Sequence, residues 1–163
     1  MYIERYWGEY IGGSDDSLTL TAYLADKGKE QFLLSEIFAD FGAKTLFEAP
    51  RTTDPPLVYT GSGGWEMALS YAIDLAGDLA AMLLECRQNG SVDLAGLDDT
   101  LELEEGAGRI SILPTLAEYE QLGRILADFA AAPEAYDIAE MLSPDELAEM
   151  AQVFGQLHQE LYG

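Results

Sequence analysis

Basic residues are scarce in this chain. Eight Lys and Arg stand against 30 Asp and Glu in 163 residues, a formal net charge of −22. With no basic patch to neutralise phosphates, nucleic-acid binding is excluded, and an anionic membrane surface would be repelled. Histidine is nearly absent too, with His158 alone. Lacking a second His or a Cys pair, the chain cannot build a zinc site of ordinary spacing, and a nucleophile triad would have only that one base. The single cysteine, Cys86, has no internal disulfide partner. Its neighbourhood, Ala80-Ala81-Met82-Leu83-Leu84-Glu85, makes it a small buried hydrophobe, with no His or Lys beside it to lower its pKa. No run of about 18 uncharged apolar residues offers a membrane helix. The start, Met1-Tyr2-Ile3-Glu4-Arg5-Tyr6-Trp7, lacks the basic-then-apolar pattern of a signal peptide. The expectation is a soluble, cytoplasmic protein with no cofactor.

What the chain does have is apolar residues, 48% of the total. A disordered acidic tail would lack them, so the charge belongs to the surface of a folded body. At this length one domain spanning 1–163 is expected, burying roughly 70% of the surface its unfolded chain exposes. The charge is uneven. From Gln88 onward Arg109 and Arg124 face sixteen acids, a local net charge of −14.

Periodicity and punctuation predict the elements. Tyr2 to Ile11 is aromatic and partly alternating, a short strand or extended arm that turns at Gly12-Gly13. Ser14, Asp15, Asp16 or Ser17 can cap a helix to about Asp26, with Gly28 beyond its end. Leu18, Leu20, Ala22 and Leu24 also alternate at period two, so a strand competes there. A helix is expected over Ser35–Phe41 and a short strand at Leu57-Val58-Tyr59. Trp65 to Gln88 is apolar except for a stripe of Glu66, Ser70, Asp74 and Asp78, continued by Glu85; it predicts a buried central helix. Thr100–Glu104 and Arg109–Leu113 suggest a hairpin around Glu105-Gly106-Ala107-Gly108. Two amphipathic helices follow, one carrying Leu116, Tyr119, Leu122, Leu126 and Phe129. The other carries Leu147, Met150, Phe154, Leu157 and Leu161, with Ser143-Pro144 at its start. The fold class this defines is α+β: a helix-dominated single domain with a small antiparallel sheet and a central buried helix.

No catalytic signature emerges. Carboxylate pairs such as Asp15-Asp16, Asp98-Asp99, Glu104-Glu105 and Asp145-Glu146 are what an acidic chain produces by chance, and capping or the helix dipole accounts for several. None follows a calcium-loop pattern. Gly61-Ser62-Gly63-Gly64 lacks the Lys and Ser or Thr of a phosphate-binding loop. His158 lies at the margin of the last helix's apolar face. The aromatics Tyr2, Tyr6, Trp7 and Tyr10, interleaved with Glu4 and Glu9, fit either core packing or a partner surface with an acidic rim.

The run Tyr6-Trp7-Gly8-Glu9-Tyr10-Ile11-Gly12-Gly13-Ser14-Asp15-Asp16-Ser17-Leu18-Thr19-Leu20 resembles the opening of small bacterial immunity proteins, which are encoded beside polymorphic or contact-dependent toxins. The resemblance implies a cytoplasmic, non-enzymatic inhibitor of a cognate toxin. Together with the charge, it leads to an acidic binding protein that neutralises a basic toxin domain by occluding its active site. Asp98, Asp99, Glu102, Glu104 and Glu105, around the expected hairpin, are the candidate partner-binding residues. A carboxylate-dependent, metal-assisted hydrolase and an acidic subunit of a larger assembly are the alternatives.

Overall fold

Helix α3 (Ala72–Asn89) is the element around which the others pack. In this computed structural model, which describes residues 1–43, 48–54, 56–104 and 106–163, every residue from Ala72 to Glu85 is buried. Ala76, Gly77, Ala80 and Ala81 let neighbours come close. At Gly77 a Cβ would sit 2.5 Å from the Phe154 ring. Gly90 ends the helix in the left-handed region at φ 83°, its N–H on the Cys86 carbonyl, as a helix C-terminus favours.

The helix starts seven residues later than its apolar pattern predicts. Glu66–Leu69 is instead a strand, β5, antiparallel to β4 (Leu57–Thr60), with Leu57 opposite Leu69 and Thr60 opposite Glu66. Met67 and Leu69 point inward while Glu66 and Ala68 point out, the two-residue period of a strand packed on one face. Gly61–Gly64 is the turn of this hairpin, with Gly61 N–H donating to the Trp65 carbonyl at 2.7 Å. The start of α3 is fixed from elsewhere in the chain. Asp16 accepts from the N–H groups of Ser70 (2.8 Å) and Tyr71 (3.0 Å), and Thr53 Oγ1 accepts from Ala72 N–H at 2.7 Å. Tyr71, the N-cap, and Ala72 carry donors that a helix leaves unsatisfied at its N-terminus, and Ser70 lies just before them.

Helix α1 (Asp15–Lys27) opens on a Ser14–Ser17 capping box and closes at Gly28, φ 63°. Leu20, Tyr23 and Leu24 are buried while Leu18 is exposed, so the helical period prevails over the competing alternation. Helix α2 (Leu34–Asp40) follows the short strand β3 (Gln31–Leu33). At the N-terminus a 3-10 turn (Tyr2–Arg5) leads into two short strands, β1 (Trp7–Glu9) and β2 (Ile11–Gly12). Ile3 and Ile11 anchor this segment in the core.

Strand β7 (Arg109–Leu113) forms as expected, but its partners differ from the expected hairpin. It lies between β3, paired parallel with Phe32 opposite Ile112, and β6 (Val92–Asp93), paired antiparallel. The small sheet is therefore mixed. Val92 and Asp93 take the register opposite Ile110 and Arg109, and Leu94 N–H donates to the Gly108 carbonyl at 2.9 Å. That leaves 101–104 outside the ladder. The short helix α4 (Leu94–Leu97) links β6 to that loop.

Helices α5 (Leu116–Ala131) and α6 (Pro144–Tyr162) carry capping boxes at Thr115–Glu118 and Ser143–Glu146. They pack antiparallel, with the Tyr119–Tyr162 rings 4.5 Å apart at one end and Phe129–Phe154 4.7 Å apart at the other. The fold is a helix-dominated α+β domain, as the pattern predicts.

Candidate partner-binding surface

Carboxylates divide here into two populations, one inside and one outside. Asp16, Asp74, Asp78 and Glu85 are buried, and each has work within the fold. Asp16 fixes the start of α3. Asp78 Oδ1 accepts from Gly12 N–H at 2.8 Å, while its Oδ2 has no hydrogen-bond partner among the described residues. Glu85 Oε2 accepts from Tyr2 N–H at 3.1 Å and Asn89 Nδ2 at 3.0 Å. Burial pushes Asp74 up to about 9, assisted by its hydrogen bond to Asp16 and by the charges of Asp78 and Asp16. Burial likewise raises Asp78 to about 7, against the lowering effect of the Ser17 hydroxyl and the Gly12 amide. A neutral Asp74 can donate its proton to Asp16, which already accepts two N–H groups. Asp16 and Asp74 so join the first turns of α1 and α3, while Asp78 holds Gly12 of β2.

The polar stripe read from the sequence thus has a different meaning. Glu66 and Ser70 lie outside α3, and Asp74, Asp78 and Glu85 face protein, not solvent. Asp16 is more than a cap: Ser14 caps α1, and Asp16 reaches across to another helix.

Of the five candidate binding acids, Asp98 is withdrawn from solvent. It is 7% exposed; its Oδ1 accepts from Thr100 N–H (3.0 Å) and Thr100 Oγ1 (2.5 Å), and its Oδ2 from Thr21 Oγ1 of α1 (3.2 Å). These donors hold its carboxyl below the usual range although burial opposes them. Asp98 thus spends its carboxylate on its own loop and on α1. Beyond it, Leu101 and Leu103 pack against the core while Asp99, Glu102 and Glu104 are exposed. The loop presents three carboxylates from a backbone pinned at Asp98 and by its two leucines. Glu105 lies outside the described residues.

The few cations are largely absorbed by the protein itself. Lys27 meets Asp40 at 3.0 Å, Arg5 meets Glu160 at 3.0 Å and Arg51 meets Asp128 at 2.8 Å. Lys29 pairs with Glu36, and Arg87 donates to the carbonyls of Glu160 and Leu161. The remaining field is anionic. His158 stacks on Tyr162 with ring centroids 5.0 Å apart, and burial raises the Cys86 thiol. Among the described residues no three His, Cys, Asp or Glu are grouped to hold a metal ion, and no helix is long and apolar enough to cross a membrane.

The aromatics at the N-terminus are half-buried, with hydroxyls tied to α6. Tyr2 OH donates to Glu160 at 2.8 Å and Tyr10 OH to Glu149 at 2.6 Å. The Glu149 bond leads the effects that push the Tyr10 phenol up to about 12. These rings pack against the core and remain partly exposed. These aromatics are legible in the chain; that Tyr2 and Tyr10 both bond to α6 is not.

An acidic α+β domain with structural carboxylates inside and an anchored acidic loop outside fits the immunity class, whose members act on a protein partner, typically a toxin. The chain belongs to the family described as Immunity protein 68, which matches residues 2–161. The likeness first apparent in residues 6–20 therefore extends over nearly the whole chain. No curated protein and no solved structure matches it.

Proposed function

We propose that this immunity protein neutralises a basic toxin domain, without enzymatic activity of its own, by covering the toxin's active site. The observation that carries the reading is the net charge of −22 combined with cations that are mostly paired internally. Such a field draws in a cationic partner and can raise association to about 10⁸–10⁹ M⁻¹s⁻¹ at low salt. Asp99, Glu102 and Glu104, exposed on the pinned loop, are the carboxylates suited to occupy a cleft that otherwise receives an anionic substrate. Holding that loop in one conformation before binding lowers the entropy lost on docking.

The test is stopped-flow association with the toxin domain encoded beside the gene, measured from low to high salt, alongside toxin activity. The expected result is stoichiometric inhibition competitive with substrate, with an association rate that falls steeply as salt rises. A salt-insensitive rate would remove the basic partner. Inhibition that substrate cannot compete away would remove occlusion.

A further inference from the structure

Helix α3, strand β7 and the ends of α5 and α6 meet around an apolar groove of about 360 Å³. Leu83 and Cys86 of α3, Ile112 and Leu113 of β7, Tyr119 of α5 and Leu161 of α6 line it. In a chain with 30 acids, no carboxylate side chain lines this groove among the described residues, and Arg87 is its one charged lining residue. The apolar surface continues onto the sheet. Leu113 lies opposite Leu33 in the β3–β7 ladder, and the two are 45% and 56% exposed. Gln31 and Ser111, the neighbouring pair on the same face, are uncharged. A joined apolar patch, unlike scattered exposed leucines, marks an interaction site.

The walls are fixed before any partner arrives. Arg87 donates to the carbonyls of Glu160 and Leu161 at the end of α6. Tyr119 OH donates to the Leu161 carbonyl at 2.6 Å, and Ser111 Oγ to the Gly90 carbonyl at 2.8 Å. With α3, β7, α5 and α6 tied together here, little order remains to be imposed on docking.

Charge decides what covers this face. At −22 a second copy is repelled, whereas a cationic protein is drawn in. The groove is also continuous with the acidic loop. Gln31 and Ser111 border both it and a second cavity, of about 500 Å³, that reaches Leu103 between Glu102 and Glu104. That cavity carries both signs, with Lys29, Arg109 and Glu30 in its lining. A charge-poor apolar centre with charged groups at its edge is the anatomy of a protein interface.

We infer that the groove and the Leu33–Leu113 pair take an apolar side chain of the toxin and form the centre of its interface, with the acidic loop at the rim. The inference rests on the toxin-binding reading and separates two roles within it. The acids govern how fast the partners meet, and the apolar centre governs how long they stay together. Any basic protein feels the field, so the groove is what selects the cognate toxin.

Two measurements with the toxin domain encoded beside the gene test it. The first compares Leu33→Glu with Leu18→Glu on α1, where Leu18 is 51% exposed; each adds one negative charge at an exposed leucine. Leu33→Glu is expected to speed dissociation about tenfold or more, because a carboxylate is forced against apolar surface, without slowing association. Leu18→Glu is expected to leave dissociation unchanged. Equal dissociation rates in the two variants overturn the groove and leave the immunity reading standing. In the second, Cys86, the single cysteine and half-buried in the groove wall, is alkylated with iodoacetamide in the free protein and in the complex. Mass spectrometry of its peptide is expected to show protection in the complex. An unchanged rate overturns the site. If the unaltered protein does not bind the toxin at all, the function reading fails and this inference fails with it.

Discussion

At the scale of single residues, packing constrains the glycine where α3 and α6 meet. Phe154 is fully buried against Gly77, and a methyl at 2.5 Å from an enclosed ring must displace it. Overpacking of this kind costs about 1–3 kcal/mol, although alanine is the better helix former by about 1 kcal/mol. Gly77→Ala is therefore expected to lower stability, by up to roughly 2 kcal/mol, in urea denaturation. A stabilised variant would mean that α6 shifts freely on α3. Gly77 reads in the sequence as one more small residue in an apolar helix; nothing local reveals that an aromatic ring needs its missing side chain.

At the scale of elements, the acidic loop depends on one inward-turned acid. Asp98 collects hydrogen bonds from its own loop and from Thr21 on α1. Removing a buried acceptor strands its donors, at about 1–3 kcal/mol. Asp98→Ala is expected to lose that much stability and to speed amide exchange at Thr100, with the three helix caps unchanged. If it also weakens toxin binding, the effect comes through loss of loop order, because the side chain itself does not reach the surface. Exchange at Thr100 identical to that of the unaltered protein would show that the loop is held by Leu101 and Leu103 alone. The segment was legible as acidic, and its inward leucines at 101 and 103 follow the alternation seen in the sequence. Its pairing was not: a strand's partner is set by the tertiary fold, and Val92–Asp93 takes the place beside β7.

For the whole molecule, pH dependence follows from the interior carboxyls. Asp74 and Asp78 have folded-state values near 9 and 7, above the roughly 3.9 of an unfolded Asp. The folded state therefore binds more protons between those limits, and stability falls as pH rises from about 4 to about 9. Asp26, Asp98, Asp128 and Glu160 are shifted the other way, so their contribution disappears as pH drops below about 4. Self-repulsion of the surface acids, strongest when all are ionised, adds to the loss at high pH. Thermal unfolding is expected to give a higher Tm at pH 5.5 than at pH 8.5. Asp74→Asn, which keeps a donor for Asp16 without a titrating group, is expected to narrow that gap and raise the Tm at pH 8.5. An unchanged pH profile in Asp74→Asn would show that this carboxyl ionises freely in the folded protein.

Local chemistry settled much of this protein in advance. Charge excess, capping residues, glycine stops and helical spacing act between neighbours in the chain, so α2, α5, α6 and the α+β class could be read directly, and α1 with a strand as its competitor. Long-range partners decided the rest. An apolar run from residue 65 is divided into strand and helix only because β4 offers a ladder to its first part. Asp16 and Thr53, distant in sequence, then supply the acceptors that let α3 begin at Ala72. The same holds for the acids: their number is a matter of composition, but which are buried, which anchor and which face a partner depends on packing between elements.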